Sequence, residues 1–261
     1  MPLKLRLPSD LVGKNSFGGE LAPQERYLYK PFLGSSHHWA LSFIRDFSPT
    51  ARVLDVGPGS GAIGTALKER GIGELYAVEV DERAREHVAP IYKRVEATLE
   101  GFAGEKFDRV LLLDVLEHMD NPAAFLKALR EFLSPGAELL VSVPNVAHWS
   151  VRLLLLFGYF PYYNRGILDC THLQFFTRGR IKKILGDAGF TTVSEAASIP
   201  PVEFVLPRPL WDNPVYAFLN KLHHGLAQIL PGFWGYQLLT RVHAGVAACR
   251  LNKIGSMHAE P

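Results

Sequence analysis

Arg52-Val53-Leu54-Asp55-Val56 reads as a short apolar strand that runs directly into Gly57-Pro58-Gly59-Ser60-Gly61 and then into a helical pattern from Ala62 to Glu69, closed by Gly71. No other feature restricts the fold as much. A strand that turns at once into a helix needs a tight connection, and alternate glycines let ligand or helix approach the main chain because no Cβ intervenes. The same alternation then repeats. Glu74 to Val80 is a second strand, Glu82 to Tyr92 a helix, Val95 to Leu99 a weak third strand and Phe107 to Leu113 a clear fourth. Pro122 to Leu133 is a helix with Asn121 as its N-cap and a proline at its first position, which the fixed φ of proline favours. Ser134-Pro135-Gly136 turns the chain into a fifth strand, Leu139 to Val143.

Strands that are apolar almost throughout and alternate with helices indicate an α/β fold, a doubly wound sheet with helices on both faces. Ahead of it, residues 1–28 read as an irregular arm, and Tyr29 to Phe47 has helical spacing that stops before Pro49. Arg178 to Ala188 is a further helix closed by Gly189, and Thr191 to Ala196 and Val242 to Leu251 look like two final strands. Between them lie a proline-rich stretch and an amphipathic helix with Val215, Phe218, Leu219, Leu222, Leu226 and Ile229 on one face. The expected organisation is a single domain over 29–261, with an acceptor lid at about 147–180 and a helical insertion at about 200–240.

Composition excludes several classes. With 48% apolar and 21% charged residues the chain has material for a core. Its 28 basic and 26 acidic residues form no basic block, so no nucleic-acid partner is expected. Cys170 and Cys249 are too few for a disulfide framework or a cysteine-rich zinc site, which points to a reducing compartment. The N-terminal stretch has no apolar signal core, and the longest apolar run, near 153–160, is far short of a bilayer span. A soluble, cytoplasmic protein is the expectation.

Asp55, Gly57, Gly59 and Gly61 sit at the carboxyl end of the first strand, where ligands bind in such sheets. Glu79 follows 22 residues after Gly57, near the end of the second strand, where a carboxylate accepts hydrogen bonds from both ribose hydroxyls of an adenosine. The two features in register point to an adenosine cofactor. Gly57-x-Gly59-x-x-Ala62 also fits a loose dinucleotide fingerprint, which keeps NAD as an alternative.

Further motifs separate these readings. Asp55-x-Gly57-x-Gly59-x-Gly61 resembles the first motif of class I S-adenosylmethionine methyltransferases, and Phe107 through Asp114 to Glu117-His118 resembles their fourth-strand motif. Leu133-Ser134-Pro135-Gly136-Ala137-Glu138-Leu139 resembles their turn into the fifth strand. Gly166 to Thr177 resembles a segment of a narrower bacterial subgroup, similar to ubiquinone-type and methionine-biosynthesis-type enzymes and to methyltransferase domain 23. Many of that subgroup sit beside glycosyltransferases in polysaccharide clusters. The resemblance covers about residues 30 to 200. It implies a seven-stranded Rossmann-like sheet, mostly parallel with an antiparallel last strand, and S-adenosyl-L-methionine as cofactor. By that resemblance Asp55, Gly57 and Gly59 line the methionine part, Gly61 belongs to the same cofactor-binding loop, Glu79 meets the ribose, and Asp114 sits near the amino group or sulfonium. Thr98 stands where the family usually has an adenine-side aspartate, so a backbone amide at Leu99 is the expected substitute.

Methyl transfer from a sulfonium asks a protein mainly for alignment and exclusion of water, but a hydroxyl acceptor also needs a base. His118, after the fourth strand, is one candidate, and His172 with Asp169 is the other, since a helical turn puts Asp169 and His172 on one face. Plain structural roles compete in each case: capping or packing for the histidines, loop hydrogen bonds for Asp55, an N-cap for Asp114. Glu117, His118, His172 and Asp169 also have metal-ligand chemistry, but their spacing is not diagnostic and no metal is expected. His37-His38 and His223-His224 read as surface or capping residues.

Trp149 to Tyr163 is rich in leucine and aromatics. Such a lid can stack on a sugar or aromatic ring or cover a lipid chain, or it can simply pack helices. The segment from Pro200 to Tyr236 can complete the pocket, form a homodimer face or touch a membrane as a peripheral contact, although Lys221 is the only full positive charge on its amphipathic helix. The leading expectation is an S-adenosylmethionine-dependent O-methyltransferase using a histidine base. Its acceptor is a glycan-related or other small molecule: a sugar, a lipid-linked or an aromatic metabolite. The alternatives are a non-catalytic cofactor-binding accessory protein and an NAD(P)-dependent reductase.

Overall fold

A computed structural model describes residues 34–43, 47–201 and 207–245. Expectations for the N-terminal arm, the first turn of the first helix and residues 246–251 of the last strand lie outside them. Among the described residues β1 (Val53–Val56), β2 (Leu75–Val78), β3 (Arg94–Glu96), β4 (Phe107–Leu113), β5 (Leu133–Pro144), β6 (Phe190–Ala197) and β7 (Gln237–Ala244) form a 7-stranded sheet. Its order is β3-β2-β1-β4-β5-β7-β6. The first five strands run parallel, and β7 pairs antiparallel with both β5 and β6. The expected mostly parallel sheet with an antiparallel last strand is therefore what forms. Helices α1 (Ser36–Phe43), α2 (Ala62–Glu69), α3 (Glu82–Val88), α4 (Pro122–Leu129), α5 (Trp149–Leu156) and α6 (Arg178–Asp187) accompany it, followed by α7 (Arg208–Trp211), α8 (Pro214–Ile229) and α9 (Pro231–Trp234).

Continuous apolar strands become intelligible once the faces are assigned. Leu54, Val56, Val110, Leu112, Leu139 and Val141 pack on one side with Phe125 and Leu129 of α4 and Ile181 and Leu185 of α6. Their neighbours Val53, Leu111 and Leu140 point to the other side and meet Ala40 of α1, Ile63 and Leu67 of α2 and Val88 of α3. Side chains alternate along a strand, so a strand covered on both faces must be apolar at every position. Local chemistry starts the helices where expected. Asn121 Oδ1 accepts from Ala124 N at 2.9 Å ahead of Pro122, and Asp81 Oδ1 accepts from Ala84 N at 2.8 Å.

Three elements differ from the sequence reading. Ser134-Pro135-Gly136 does not precede β5 but bulges inside it, because Leu133 already pairs with Phe107 before the register resumes at Glu138 and Arg109. The third strand stops at Glu96, and Leu99–Phe102 forms a 3-10 turn instead. β7 begins at Gln237, five residues before the expected Val242, because it is inserted between β5 and β6 and takes its pairing from them.

Candidate active site

The loop after β1 and the end of β4 adjoin at the point where the strand order reverses, between β1 and β4. They frame a cleft of about 480 Å³, open solvent included, lined among others by Asp55, Gly57, Gly59, Ala62, Leu113 and Asp114. The loop requires its glycines. Gly57, Gly59 and Gly61 all have positive φ, +66°, +57° and +73°. A Cβ on Gly61 would also lie 2.3 Å from Ile91 Cδ1. Gly57 N donates to Val78 O at 2.8 Å, tying the loop to β2.

Two carboxylates stand at this cleft in different settings. Asp55 is buried at 4% exposure, and Tyr92 Oη donates to its Oδ2 at 2.6 Å. Burial pushes its pKa up to about 6, against the Tyr92 hydrogen bond that lowers it. Asp114 has φ +59°, a left-handed conformation unusual for a side-chain-bearing residue but one that aspartate tolerates. It is held there by Ser142, whose Oγ donates to Asp114 Oδ1 at 2.6 Å, and by Gln237, whose Nε2 donates to Oδ2 at 2.5 Å. Gln237 is itself fixed, since its Oε1 accepts from Ser198 Oγ at 2.9 Å.

Of the residues singled out from sequence, Asp55, Gly57, Gly59 and Asp114 line the cleft together. Gly61 caps α2 beside it. Glu79, Thr98 and Leu99 lie outside this lining, at the ends of β2 and β3. Glu79 is 9% exposed, and its Oε1 accepts from Asp81 N at 3.0 Å, with burial raising its pKa. Thr98 is exposed and precedes the 3-10 turn, and Leu99 is buried in the core. His37, read from sequence as a surface residue, belongs to the cleft lining. Tyr92, Ser142 and Gln237 were not singled out. Nothing in their spacing marks them, because each is brought in by a different strand or loop.

The two candidate bases do meet. The 3-10 turn Leu116–His118 after β4 is stapled to the 171–176 segment by Leu173 N and Gln174 N, which donate to the Glu117 carbonyl at 2.8 and 2.9 Å. The His118 and His172 rings then stand edge to face, 5.0 Å between centroids. Nδ1 of His118 is 3.2 Å from the Thr171 carbonyl and Nδ1 of His172 is 3.0 Å from the Ile167 carbonyl. A carbonyl only accepts, so Nδ1 carries the proton in both rings. Burial lowers the His118 pKa, and the neighbouring His172 lowers it further, while Asp169 and Asp114 act in the opposite direction. Asp169 Oδ1 accepts from Thr171 N at 2.8 Å and from Thr171 Oγ1 at 2.7 Å, a turn-holding arrangement. The orientation of His172 expected from Asp169 is thus taken up at Nδ1 by the Ile167 carbonyl.

A methyltransferase domain family matches residues 36–195, more than half of the chain. The chain belongs to the class I S-adenosylmethionine-dependent methyltransferases. The chain is 33% identical over 120 residues to the ubiquinone biosynthesis O-methyltransferase of Cereibacter sphaeroides (strain KD131 / KCTC 12085), a match covering 41% of this chain and 48% of the relative. To the enzyme of the same name from Dinoroseobacter shibae it is 28% identical over 158 residues, 57% of this chain and 63% of the relative. The chain spans about half the length of the curated relatives it matches. Among solved structures, a putative methyltransferase from Bacillus halodurans C-125 superposes with a TM-score of 0.57 at 16% identity, covering 81% of this chain and 100% of that one. Magnesium protoporphyrin IX methyltransferase from Synechocystis PCC 6803 with bound SAH gives 0.51 at 18% identity, covering 80% and 82%. These structures share the fold.

The cleft has the chemistry that the family cofactor calls for. The left-handed glycines hold the loop in a turn that side-chain-bearing residues rarely adopt, with main chain lining the cleft, and a buried carboxylate such as Asp55 suits a ligand bearing positive charge.

Proposed function

We propose that the protein transfers a methyl group from S-adenosylmethionine to a hydroxyl oxygen of a small-molecule acceptor. The observation that carries this is the continuity of the site: Asp114 closes the glycine-loop cleft and lies near enough to His118 to act on its charge, and His118 stands against His172. A proton-accepting pair therefore adjoins the cofactor cleft on its acceptor side.

In this reading the Gly57 to Gly61 loop, Asp55 and Asp114 hold the methionine end, Glu79 takes the ribose hydroxyls, and the chain near Thr98 and Leu99 borders the adenine. When bound, the cofactor supplies an electrophilic methyl group with a good leaving group. The protein aligns the acceptor and excludes water. Nε2 of His118 or His172 carries the lone pair that accepts the hydroxyl proton, because Nδ1 is committed to a backbone carbonyl. The lid from Trp149 to Tyr163 offers aromatic faces for a sugar, an aromatic ring or an isoprenoid chain. The names of the ubiquinone-type relatives support oxygen as the methylated atom.

The test is methyl transfer from labelled cofactor to a panel of phenolic, glycan and lipid-linked acceptors, with calorimetric titration of the cofactor alongside. His118→Ala and His172→Ala are expected to lower kcat by about 10²- to 10⁴-fold with cofactor affinity retained. Glu79→Ala is expected to weaken cofactor binding by about tenfold or more. Turnover undiminished in both histidine variants would remove them as bases. Folded protein that fails to bind the cofactor would overturn the whole reading.

A further inference from the structure

Asp114 keeps a left-handed backbone, φ +59°, and a side-chain-bearing residue holds such a conformation only where its surroundings over-determine it. Two strands supply the constraint. From β5, Ser142 Oγ accepts from Asp114 N at 3.0 Å and donates to Asp114 Oδ1 at 2.6 Å. From β7, Gln237 Nε2 donates to Asp114 Oδ2 at 2.5 Å. We infer that Gln237 is a positioning residue for methyl transfer, aiming the Asp114 carboxylate at the methionine end of the cofactor. This rests on the reading above that Asp114 holds that end. It brings into the site a part of the chain that lies beyond residues 36–195, the stretch matching the methyltransferase domain family.

Sheet order explains how so distant a residue arrives. β7 runs antiparallel to β5, so its first residue pairs with the last of β5, Gln237 with Pro144, at the edge where the parallel strands end. Ser142 lies near the same edge, opposite Leu113 of β4. Gln237 is then fixed from behind. Ser198 N donates to Gln237 O at 3.0 Å, while Ser198 Oγ accepts from Gln237 N at 3.0 Å and donates to Gln237 Oε1 at 2.9 Å. Both ends of the Gln237 side chain and both of its main-chain polar groups are thereby engaged.

The direction of the hydrogen bonds follows from the groups themselves. A carboxylate only accepts, which turns the Gln237 amide nitrogen to Asp114 and leaves the amide oxygen for the Ser198 hydroxyl. Ser142, Ser198 and Gln237 are all buried. In such surroundings a hydrogen bond to a charged group is strong, and leaving it unmade is costly. Gln237 is also a neutral donor. It orients the carboxylate without bringing a countercharge that competes with the sulfonium and ammonium of the cofactor, as a lysine or arginine in its place would.

The experiment is calorimetric titration of the full chain with S-adenosylmethionine and, separately, with methylthioadenosine, which keeps the nucleoside but lacks the amino-acid end and the sulfonium charge. Gln237→Leu is expected to weaken S-adenosylmethionine binding by about ten- to hundredfold and to leave methylthioadenosine binding within about twofold. Circular dichroism and thermal melting check that the variant is folded. Gln237→Glu adds a pH signature and decides alone should Gln237→Leu not fold. Protonated, the new carboxyl donates to Asp114 as the amide did; ionised, it repels Asp114. Compared with the native chain at the same pH, its affinity for S-adenosylmethionine should be near native at about pH 5.5 and at least about tenfold weaker at about pH 8. An affinity ratio that is the same at both pH values overturns the inference, as does folded Gln237→Leu that loses neither ligand or both equally. Asp114→Asn separates this from the reading beneath it. If the native chain binds S-adenosylmethionine and Asp114→Asn binds it equally well, the placement of Asp114 at the methionine end falls; if Asp114→Asn loses affinity and the Gln237 variants do not, only the positioning role falls.

Discussion

Asp55 stands under opposing demands. It closes the floor of the cleft, yet its burial favours the protonated form and lifts its pKa from 3.8 to about 6. A carboxyl whose folded pKa lies above its unfolded value stabilises the fold below the unfolded pKa, and that contribution is lost as pH rises through the folded pKa. Over pH 4 to 6 the ligand-free protein is therefore expected to lose about 3 kcal/mol at this residue. Asp55→Asn removes this dependence, so thermal melts of the variant should gain on those of the native chain as pH rises to 7. Equal pH profiles would contradict the assignment. His148 has the opposite sign. It is 2% exposed, and burial with the nearby His223 lowers its pKa to about 4. Its stabilising contribution is present above the unfolded value and is lost as pH falls from 6.5 toward 4. A His148→Gln chain should unfold with a shallower acid limb.

At the scale of elements, turns and junctions carry the site. Gly61 begins α2 at φ +73°, and Ile91 crowds the space of a side chain there. Gly61→Ala is expected to cost about 2 kcal/mol and to weaken S-adenosylmethionine binding, measured by denaturant melts and calorimetry. Asn145, fully buried after β5, donates from Nδ2 to Gly235 O at 2.8 Å and accepts at Oδ1 from Ala147 N at 3.1 Å. It joins the start of the lid to the turn before β7. Asn145→Ala leaves buried groups without partners and is expected to cost about 2 to 3 kcal/mol, seen as a lower denaturation midpoint. Glu138 on β5 meets Arg241 at 2.5 Å, Arg109 at 3.3 Å and His243 at 3.3 Å across three strands. The junctions were harder to read than the strands. β4 was legible to the residue because its run from Val110 to Leu113 is apolar throughout and Phe107 opens it, whereas β7 was misplaced because Gln237, Thr240 and Arg241 interrupt its first five positions with polar groups, Gln237 pairing with Asp114 and Arg241 with Glu138.

At the scale of the whole molecule, apolar surface is unevenly distributed. Every exposed large apolar side chain among the described residues except Val193 falls within 149–163 or 210–233. The two stretches adjoin, with Trp149 and Trp234 ring centroids 6.2 Å apart and Arg152 over the Phe233 ring. The apolar stripe of α8 faces outward: Phe218 is 67% and Leu222 is 52% exposed, while Ala227 packs inward. No helix among the described residues is long and apolar enough to cross a membrane. Phe218→Ser and Leu222→Ser should therefore change the unfolding free energy by less than about 0.5 kcal/mol, and a large loss of stability would mean that other parts of the chain cover this face.

The sequence by itself determined the alternation of buried strands and helices, the glycine loop and the residues that carry charge near it. These depend on local rules: the period of the apolar residues, the turn chemistry of glycine and proline, and the motif spacing along one strand and the next. Only the tertiary structure decided which distant groups share a site. Tyr92 reaches Asp55 across 37 positions, Gln237 reaches Asp114 across 123, and His118 meets His172 because backbone amides of a later segment bind the Glu117 carbonyl. Such encounters follow from strand order and crossover geometry, which place residues far apart in the chain at the same sheet edge, and no local pattern encodes that distance.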